Sequence, residues 1–548
     1  MRGRGLILVT LCLAALIINL DTTIVNVALP ALVRQIGATT AGLQWVVDAY
    51  NLTFAALVLA AGSLGDRLGR KGMLLAGLGV FGAASLAGSF AATVGQLIAA
   101  RAVMGVGAAM MFPATLSLLT NVFTERRERA AALGVWGASA GVGIALGPIA
   151  GGWLLERFWW GAIFLFFVPV AALVAALTVW RVPASRDPST PPVDWRGLAL
   201  SAAGMGLIVY GIIEAPGWGW ASAATIGTLA AGLAMLAMLV AAERRTASPM
   251  IDISLFRNPR FTAASASVAI AFFALLGFIF LMTQYFQVVQ AYSPLVTGVR
   301  LLPVAASVAV ASVAGTRLAV RIGNKIIVGG GLACFSAALA WISTVSQGTS
   351  YGIISAQMVV LGTGMGLTQA PATESIMGAV PRQKAGIASA VNGSTRLFGG
   401  TLGVAVIGSV AASLYTSRLT ALLPAGLPPR AAAAAGSVGG AQVAAQHLSQ
   451  AGLTGAAHAL SQAAQLAFLH SLTGACLVAA GMAGAGVLLV TFLLPARPQT
   501  QQAGIRAADN TTAHIARGPA GALAPGASTV VPGPATPPSP ALPERPAP

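Results

Sequence analysis

Gly62-Ser-Leu-Gly-Asp66-Arg67-Leu-Gly-Arg70-Lys71-Gly-Met-Leu-Leu75 lies between two long apolar runs. One acid and three bases fall between positions 66 and 71. A polar knot this dense, flanked by membrane-length segments, belongs at a water interface. Its glycines permit a tight turn. The stretch therefore predicts a short charged hairpin between two membrane helices, on the face of the bilayer that retains positive charge.

The rest of the chain agrees. Of 548 residues, 56% are hydrophobic and 8% are charged, against roughly 25% charged in an ordinary globular protein. Such a composition excludes a soluble multidomain chain. The formal charge of +17 could suggest nucleic acid, but the bases are not gathered into a stripe. They fall in short gaps at alternate ends of the apolar runs, which is the mark of topology. Of the bases, Arg34, Arg101, Arg157, Arg300, Arg396, Arg418 and Arg430 alone lie away from the Arg70 side. Cys12, Cys334 and Cys476 sit in apolar runs, without metal-ligand spacing. Met1-Arg-Gly-Arg4 imitates a signal peptide, but no small-x-small cleavage site follows. It reads as the start of an uncleaved first span.

Fourteen spans are expected, from about 6–30 to about 467–494. The predicted fold is an all-α polytopic membrane protein with both termini cytoplasmic. It divides into a six-helix bundle at 1–181, a two-helix insert with linkers at 182–260 and a second six-helix bundle at 261–494. The Ala-, Gly- and Gln-rich region 413–466 is expected to be an extracytoplasmic loop, and the Pro-rich 495–548 a disordered cytoplasmic tail. Gly-Thr-Arg317-Leu-Ala-Val-Arg321-Ile-Gly323-Asn-Lys325 weakly echoes the opening hairpin without its aspartate. Repeated halves with a site between them are a common plan of secondary transporters.

Acids within spans carry the chemistry. A charged Asp at a helix centre costs about 2.5–3.5 kcal/mol on insertion scales. That cost favours the neutral form, so such a carboxyl can exchange a proton and, once deprotonated, attract a cation. Asp48 in span 2 is the leading candidate, followed by Asp21 in span 1. An interhelical hydrogen bond or an ion pair with Arg101 is the plain structural alternative. Arg101 and Arg396 need a partner or a water-filled space at that depth. Glu214 and Glu374 lie near span ends. Gln284, Tyr285 and Gln287 cluster at the end of span 9, where they would line a cavity or form an interfacial belt. Asn26, Glu374, Asn392 and Arg396 complete the candidate cavity residues. The histidines lie outside or at the margins of the spans, so a histidine relay is not expected.

Span 5 carries Gly143, Gly147, Pro148, Gly151 and Gly152. Glycines four apart allow close helix packing, and proline bends the helix. Gly137-Ala-Ser139-Ala-Gly141 fits a nucleophile pattern by chance, within an apolar helix and without a histidine partner. There is no phosphate-binding G-x-x-x-x-G-K-[ST] motif and no zinc spacing. No cofactor, metal or ATP is therefore expected; a proton gradient would supply the energy.

Together these segments resemble the major facilitator superfamily, and more closely its fourteen-span drug–proton antiporters of the EmrB/QacA-like group. Gly62, Leu64, Asp66, Arg67, Gly69, Arg70 and Lys71 resemble the family's motif A. Leu20-Asp21-Thr-Thr23-Ile-Val-Asn26-Val-Ala28-Leu-Pro30 is similar to its span-1 motif. Arg101, Gly105 and Gly107 resemble motif B, with Met104 where glutamine is usual. Gly143 to Gly152 resemble motif C, the mark of antiporters. Span 6 departs from the family's W-R-W-I-F-L-I-N-x-P pattern at Gly161 and Phe167.

The resemblance implies two bundles rocking about a central cavity, with Asp21 and Asp48 taking proton and substrate in turn. It implies that motif A governs which way the site faces, with Asp66 meeting a helix N-terminus and Arg70 pairing with Glu125 or Glu128. Lipophilic, cationic drugs are the implied substrates of a monomeric exporter in the cytoplasmic membrane. A dedicated exporter of one self-made antibiotic or metabolite is the nearer rival. A polytopic membrane enzyme or sensor is the remote one, lacking a visible catalytic cluster.

Overall fold

The computed structural model describes residues 2–186, 194–246, 253–380, 385–423 and 427–494. The expected tail at 495–548 and the loop bases Arg382 and Lys384 lie outside the described residues. Helices account for the architecture, and no strand occurs among the described residues. They are α1 (Arg2–Ile36), α2 (Thr40–Leu68), α3 (Arg70–Ser89), α4 (Val94–Val122), α5 (Arg126–Arg157), α6 (Ala162–Leu165) and α7 (Phe167–Arg181). Next come α8 (Trp195–Trp218) and α9 (Ala223–Glu243), then α10 (Pro259–Gln284), α11 (Pro294–Arg300), α12 (Leu302–Ile322) and α13 (Asn324–Ile342). The remainder are α14 (Tyr351–Gly378), α15 (Ala385–Leu422), α16 (Pro429–Ala434), α17 (Val438–Gln450) and α18 (Thr454–Leu493).

Among the described residues, fourteen helical stretches are long and apolar enough to cross a bilayer, as the sequence predicts. In two of them the helix is interrupted: α6 gives way to α7 at Phe166, and α11 to α12 at Leu301. Pro303 supplies no backbone N–H at the start of α12, so a helix restarts there without losing a donor. A π-helical turn at Tyr285–Val289 prolongs α10.

Region 413–466, expected as an extracytoplasmic loop, is largely helical. The membrane helices α15 and α18 run into it from both sides, to Leu422 and from Thr454. Between them α17 buries Val438, Ala441, Ala444, Ala445 and Leu448. Gln442 Nε2 donates to Val288 O at 2.8 Å, and Tyr415 Oη donates to Ala435 O at 3.1 Å. The alanines that looked featureless are the small residues this docking needs.

Helices α1–α7 pack chiefly on one another, and so do α10–α18, while the pair α8–α9 lies against α2 and α15. The two halves repeat the same devices. The opening hairpin turns on Gly69 at φ +127°, and its echo turns on Gly323 at φ +93°, a region that favours glycine. A methyl group on Gly107 would sit 2.9 Å from Gly77 O and 2.8 Å from Phe81 N. In the second half, one on Gly364 would sit 2.7 Å from Gly331 O and 2.6 Å from Phe335 N. Gly105 lies against Tyr50 O as Gly362 lies against Val304 O. Gly143 and Gly147 of α5 face Leu16 and Leu20 of α1, and Gly399 and Gly403 of α15 likewise face Ala269 and Phe273 of α10. These seams bring helix backbones into contact and so fix where the polar side chains beside them stand.

Gly107→Val and Gly364→Val should each destabilise the protein by roughly 1–3 kcal/mol through overpacking. Gly79→Val, where an added Cβ meets nothing within 4 Å, should leave thermal unfolding in detergent unchanged. Equal melting temperatures for all three variants would contradict the seam assignment.

A buried ion pair and a lone carboxyl between the helices

α1, α2 and α4 cross where the Gly105 seam draws α4 onto Tyr50, and Arg101 stands one turn away on α4. Its Nη1 lies 2.6 Å from Asp21 Oδ2, and neither side chain has any exposure. Arg101 Nε donates to Val46 O at 3.0 Å, and its guanidinium lies over the Tyr50 ring at 4.3 Å. Tyr50 Oη in turn donates to Ile18 O at 3.1 Å. Sequence reasoning placed both charges in spans; the structure makes them partners. Met104 Sδ is 4.0 Å from Nη1, and Nη2 has no hydrogen-bond partner among the described residues. Thioether sulfur is a weak acceptor, so the departure at Met104 leaves the guanidinium under-satisfied.

The repeat shows what this pair is not for. Counting along the matched seams, Ala274 and Met358 hold the places of Asp21 and Arg101 in the second half. Both are fully buried. The same helix crossing forms there without charges, so the pair is not required to build it. Replacing buried ion pairs by apolar residues is often neutral or stabilising, whereas removing one partner is costly.

Asp48 is the contrast. It is fully buried on α2, and neither carboxylate oxygen has a hydrogen-bond partner among the described residues. Gln44, one turn before it, donates through Nε2 to Val404 O at 3.1 Å, Ala405 O at 2.9 Å and Ser409 Oγ at 3.2 Å. Asn51, one turn after it, is buried with both amide atoms unpartnered among the described residues. Gln44 and Asn51 were missed by sequence reasoning. Their spacing of four and three residues around Asp48 was the available signal.

The remaining candidates separate into groups. Gln287 Nε2 donates to Val27 O at 2.8 Å, and Tyr285 Oη donates to Ser346 O at 2.9 Å. Gln284 Nε2 bonds its own helix at Phe280 O. These three spend their polar groups on protein partners. Asn26 is buried and donates to Thr22 O and Thr23 O at 3.4 Å, with Oδ1 unpartnered among the described residues. Asn392 Nδ2 reaches Thr373 Oγ1 at 3.5 Å, Arg396 lies over Phe272 at 4.6 Å, and Glu374 is exposed. Glu214 accepts from Trp45 Nε1 at 3.2 Å.

The span-5 glycines join the halves. Thr23 Oγ1 donates across the α1–α5 seam to Ile144 O at 3.1 Å. Gly152 abuts Pro294 and Leu295, Pro148 O abuts Gly298, and Glu156 accepts from Leu295 N at 3.3 Å. Two hydrogen bonds cross between the halves at this end, Gln287 Nε2 to Val27 O and Leu295 N to Glu156 Oε1. At the other end of α5, an added Cβ at Gly134, Gly137 or Gly141 meets nothing within 4 Å. The glycine face of α5 is thus packed against α11 at its Gly152 end and unpacked at the Arg70 end.

The hairpin itself differs from expectation. Asp66 pairs with Arg70 at 2.6 Å, across the Gly69 turn, rather than with a helix N-terminus. Glu128 is taken by Arg4 at 3.1 Å, because α5 packs along α1 and brings their basic-end turns together. Arg70 N donates to Ser185 O and Lys71 Nζ to Val179 O, both at 2.9 Å, which ties the hairpin to the end of α7. Arg67 is exposed. Gly62 lies 3.3 Å from Pro113 of α4 at the Cβ position.

Sequence comparison matches the Major Facilitator Superfamily profile over residues 11–404. The chain belongs to the major facilitator superfamily. It is therefore a transporter. The chain is 37% identical to the multidrug efflux pump LfrA of Mycolicibacterium smegmatis, over 82% of its own length and 88% of LfrA. It is 34% identical to the methylenomycin A resistance protein of Streptomyces coelicolor, over 72% of its length and 82% of that protein. A bacterial homolog of the human lysosomal transporter Spinster, solved inward-facing and occupied, shares the fold with a TM-score of 0.64. Identity there is 16%, over 90% of this chain and 98% of the other.

Asp21→Ala and Arg101→Met should each destabilise this transporter by about 3–5 kcal/mol, since each strands a buried charge. The double variant, which installs the pattern of Ala274 and Met358, should melt close to the parent. A double variant as unstable as the sum of the singles would contradict the reading of the pair.

Proposed function

We propose that this transporter is a proton-coupled exporter of lipophilic, cationic drugs, working as an antiporter by alternating access. The observation that carries the reading is Asp48: a carboxyl inside a span, fully buried and without a hydrogen-bond partner among the described residues. A carboxyl in such surroundings is stable in two forms, neutral with a proton or charged beside a cation. It can therefore trade one for the other. The similarity to LfrA, named a multidrug efflux pump, supports the substrate class.

The Arg70 end is the cytoplasmic end on the positive-inside rule, so the Gly152–Gly298 contact lies at the outer end of the exchange path. The arriving cation displaces the proton from Asp48; the halves then part at the Gly152–Gly298 closure and the cation leaves outward. A proton returning through the outward-open state resets the carboxyl. Exchange of one proton for one monovalent cation moves no net charge, so the pH difference is the driving force: each unit is worth about 1.4 kcal/mol, enough for about a tenfold cation gradient. Asp21 is held by Arg101 in this state and joins the exchange where the helices separate. The Asp66–Arg70 hairpin is a gate brace: it fastens α2 and α3 to the end of α7 and touches no substrate. The protein acts as a monomer in the cytoplasmic membrane, with both termini inside.

The similarity to a methylenomycin A resistance protein favours a second reading, export of a single antibiotic. A substrate panel with and without a proton uncoupler separates the two. In inside-out vesicles, Asp48→Asn should lower proton-driven dye accumulation by roughly tenfold or more at unchanged protein level. Undiminished coupled accumulation in Asp48→Asn would overturn the mechanism.

A further inference from the structure

One charge inside the spans has no part in the exchange at Asp48. Arg396 lies within the span Ser389–Leu422. No ion pair or hydrogen bond holds it among the described residues, and its guanidinium lies over the Phe272 ring of α10 at 4.6 Å. Glu374 of α14 interacts with Arg260 at the start of α10 instead. A guanidinium keeps its charge at any physiological pH, so at this depth it needs water or an anion. It is half-buried rather than sealed in. Asn392, one turn before it, is 8% exposed, and its Oδ1 has no partner among the described residues. That amide still has a bond to make.

The repeat shows that the fold does not need this base. Gly399 and Gly403 match Gly143 and Gly147, so Ala140 and Trp136 hold the places of Arg396 and Asn392 in the first half. The same seam forms there without a charge. At this level α15 also faces the first half: a Cβ on Gly393 would lie 4.0 Å from the Phe112 ring of α4. Phe112 is in ring contact with Phe54 at 5.7 Å and with Trp136 at 5.3 Å. An unanswered base on one half thus stands near an aromatic surface on the other, at the seam between repeats where secondary transporters place their sites.

The base and the acid stand at different depths. Gln44, near the start of α2, is level with Val404, whereas Gly62, near its end, is level with Pro113 and so with Gly393. The helices α2 and α15 therefore run in opposite directions. At 1.5 Å per residue, Arg396 lies on the order of 10 Å nearer the Arg70 end than Asp48. A ligand arriving from the cytoplasm meets the base before the acid.

We propose that Arg396 forms a carboxylate subsite between the halves, so that this transporter takes aromatic zwitterions, drugs that carry a carboxylate beside their cationic group. The planar guanidinium matches a carboxylate with two parallel bonds. Phe272 and the Phe112 cluster suit an aromatic body. The cationic group of such a ligand is the one that the export reading above assigns to Asp48, and in that respect the proposal rests on that reading.

The test measures binding of two dyes to the purified full chain in lipid nanodiscs, by fluorescence polarisation against empty nanodiscs. Rhodamine B is a xanthene cation with a free carboxylate; its ethyl ester is the same cation without one. Arg396→Met should weaken rhodamine B by about tenfold, as for loss of one charge-assisted pair, and leave the ester unchanged or tighter. Arg396→Lys keeps the charge but not the fork, and should fall between. The ester reports that each variant is folded. Asp48→Asn should weaken the ester, which tests the export reading. Equal weakening of both dyes in Arg396→Met and Arg396→Lys, or undiminished binding of rhodamine B, would overturn the subsite; the export reading stands if Asp48→Asn still loses the ester. Selective loss of rhodamine B in Arg396→Met, with ester binding indifferent to Asp48→Asn, would keep the subsite and overturn the export reading. Binding of neither dye to the parent protein would overturn both.

Discussion

Charge cannot rest in hydrocarbon without an answering group, and the arrangement of this protein follows from that constraint. Two carboxyls lie within the first two spans. Asp21 has its answer in Arg101, at 2.6 Å and wholly buried. Asp48 has none among the described residues. On the proposed reading, a carboxyl that must find either a proton or a cation serves as the coupling device. The apolar Ala274 and Met358, at the matching crossing of the second half, show that the fold does not need charge there.

The glycine seams turn this chemistry into a machine with a direction. Gly143 and Gly147 lay α5 on α1, beside Asp21; Gly152 and the Pro148 carbonyl close α5 against α11 at one end only. Closely packed backbones have few intermediate arrangements, so a contact of this kind is either made or broken. The hairpin at the opposite end is held by short bonds to the end of α7 rather than by a bond across the halves. It braces one half.

Much of this was legible in the sequence because membrane segments announce themselves by length and composition. The fourteen spans came from hydropathy, and the acids within them stood out through the scarcity of charge. The Asp66–Lys71 hairpin was legible because its charges are concentrated in six positions. What escaped was whatever depends on small residues. Gly77, Gly107, Gly331 and Gly364 carry no side chain to mark a pattern, yet they make the internal repeat far stronger than the faint echo at 315–325. The docking of α17 rests on alanines that look like filler. Arg70 was assigned to Glu125 or Glu128, but pairing across a tight glycine turn is shorter than pairing across helices, and Asp66 took it. Glu243 ends the apolar run of α9, and nothing in the sequence marks it as buried.

The central claim is that one carboxyl trades a proton for a drug cation. It is tested most directly by mixing purified, full-length protein with tetraphenylphosphonium in weakly buffered detergent solution and following a pH indicator. The account predicts release of about one proton per bound cation, and none from Asp48→Asn. Saturable binding without proton release, or equal release from Asp48→Asn, would contradict it.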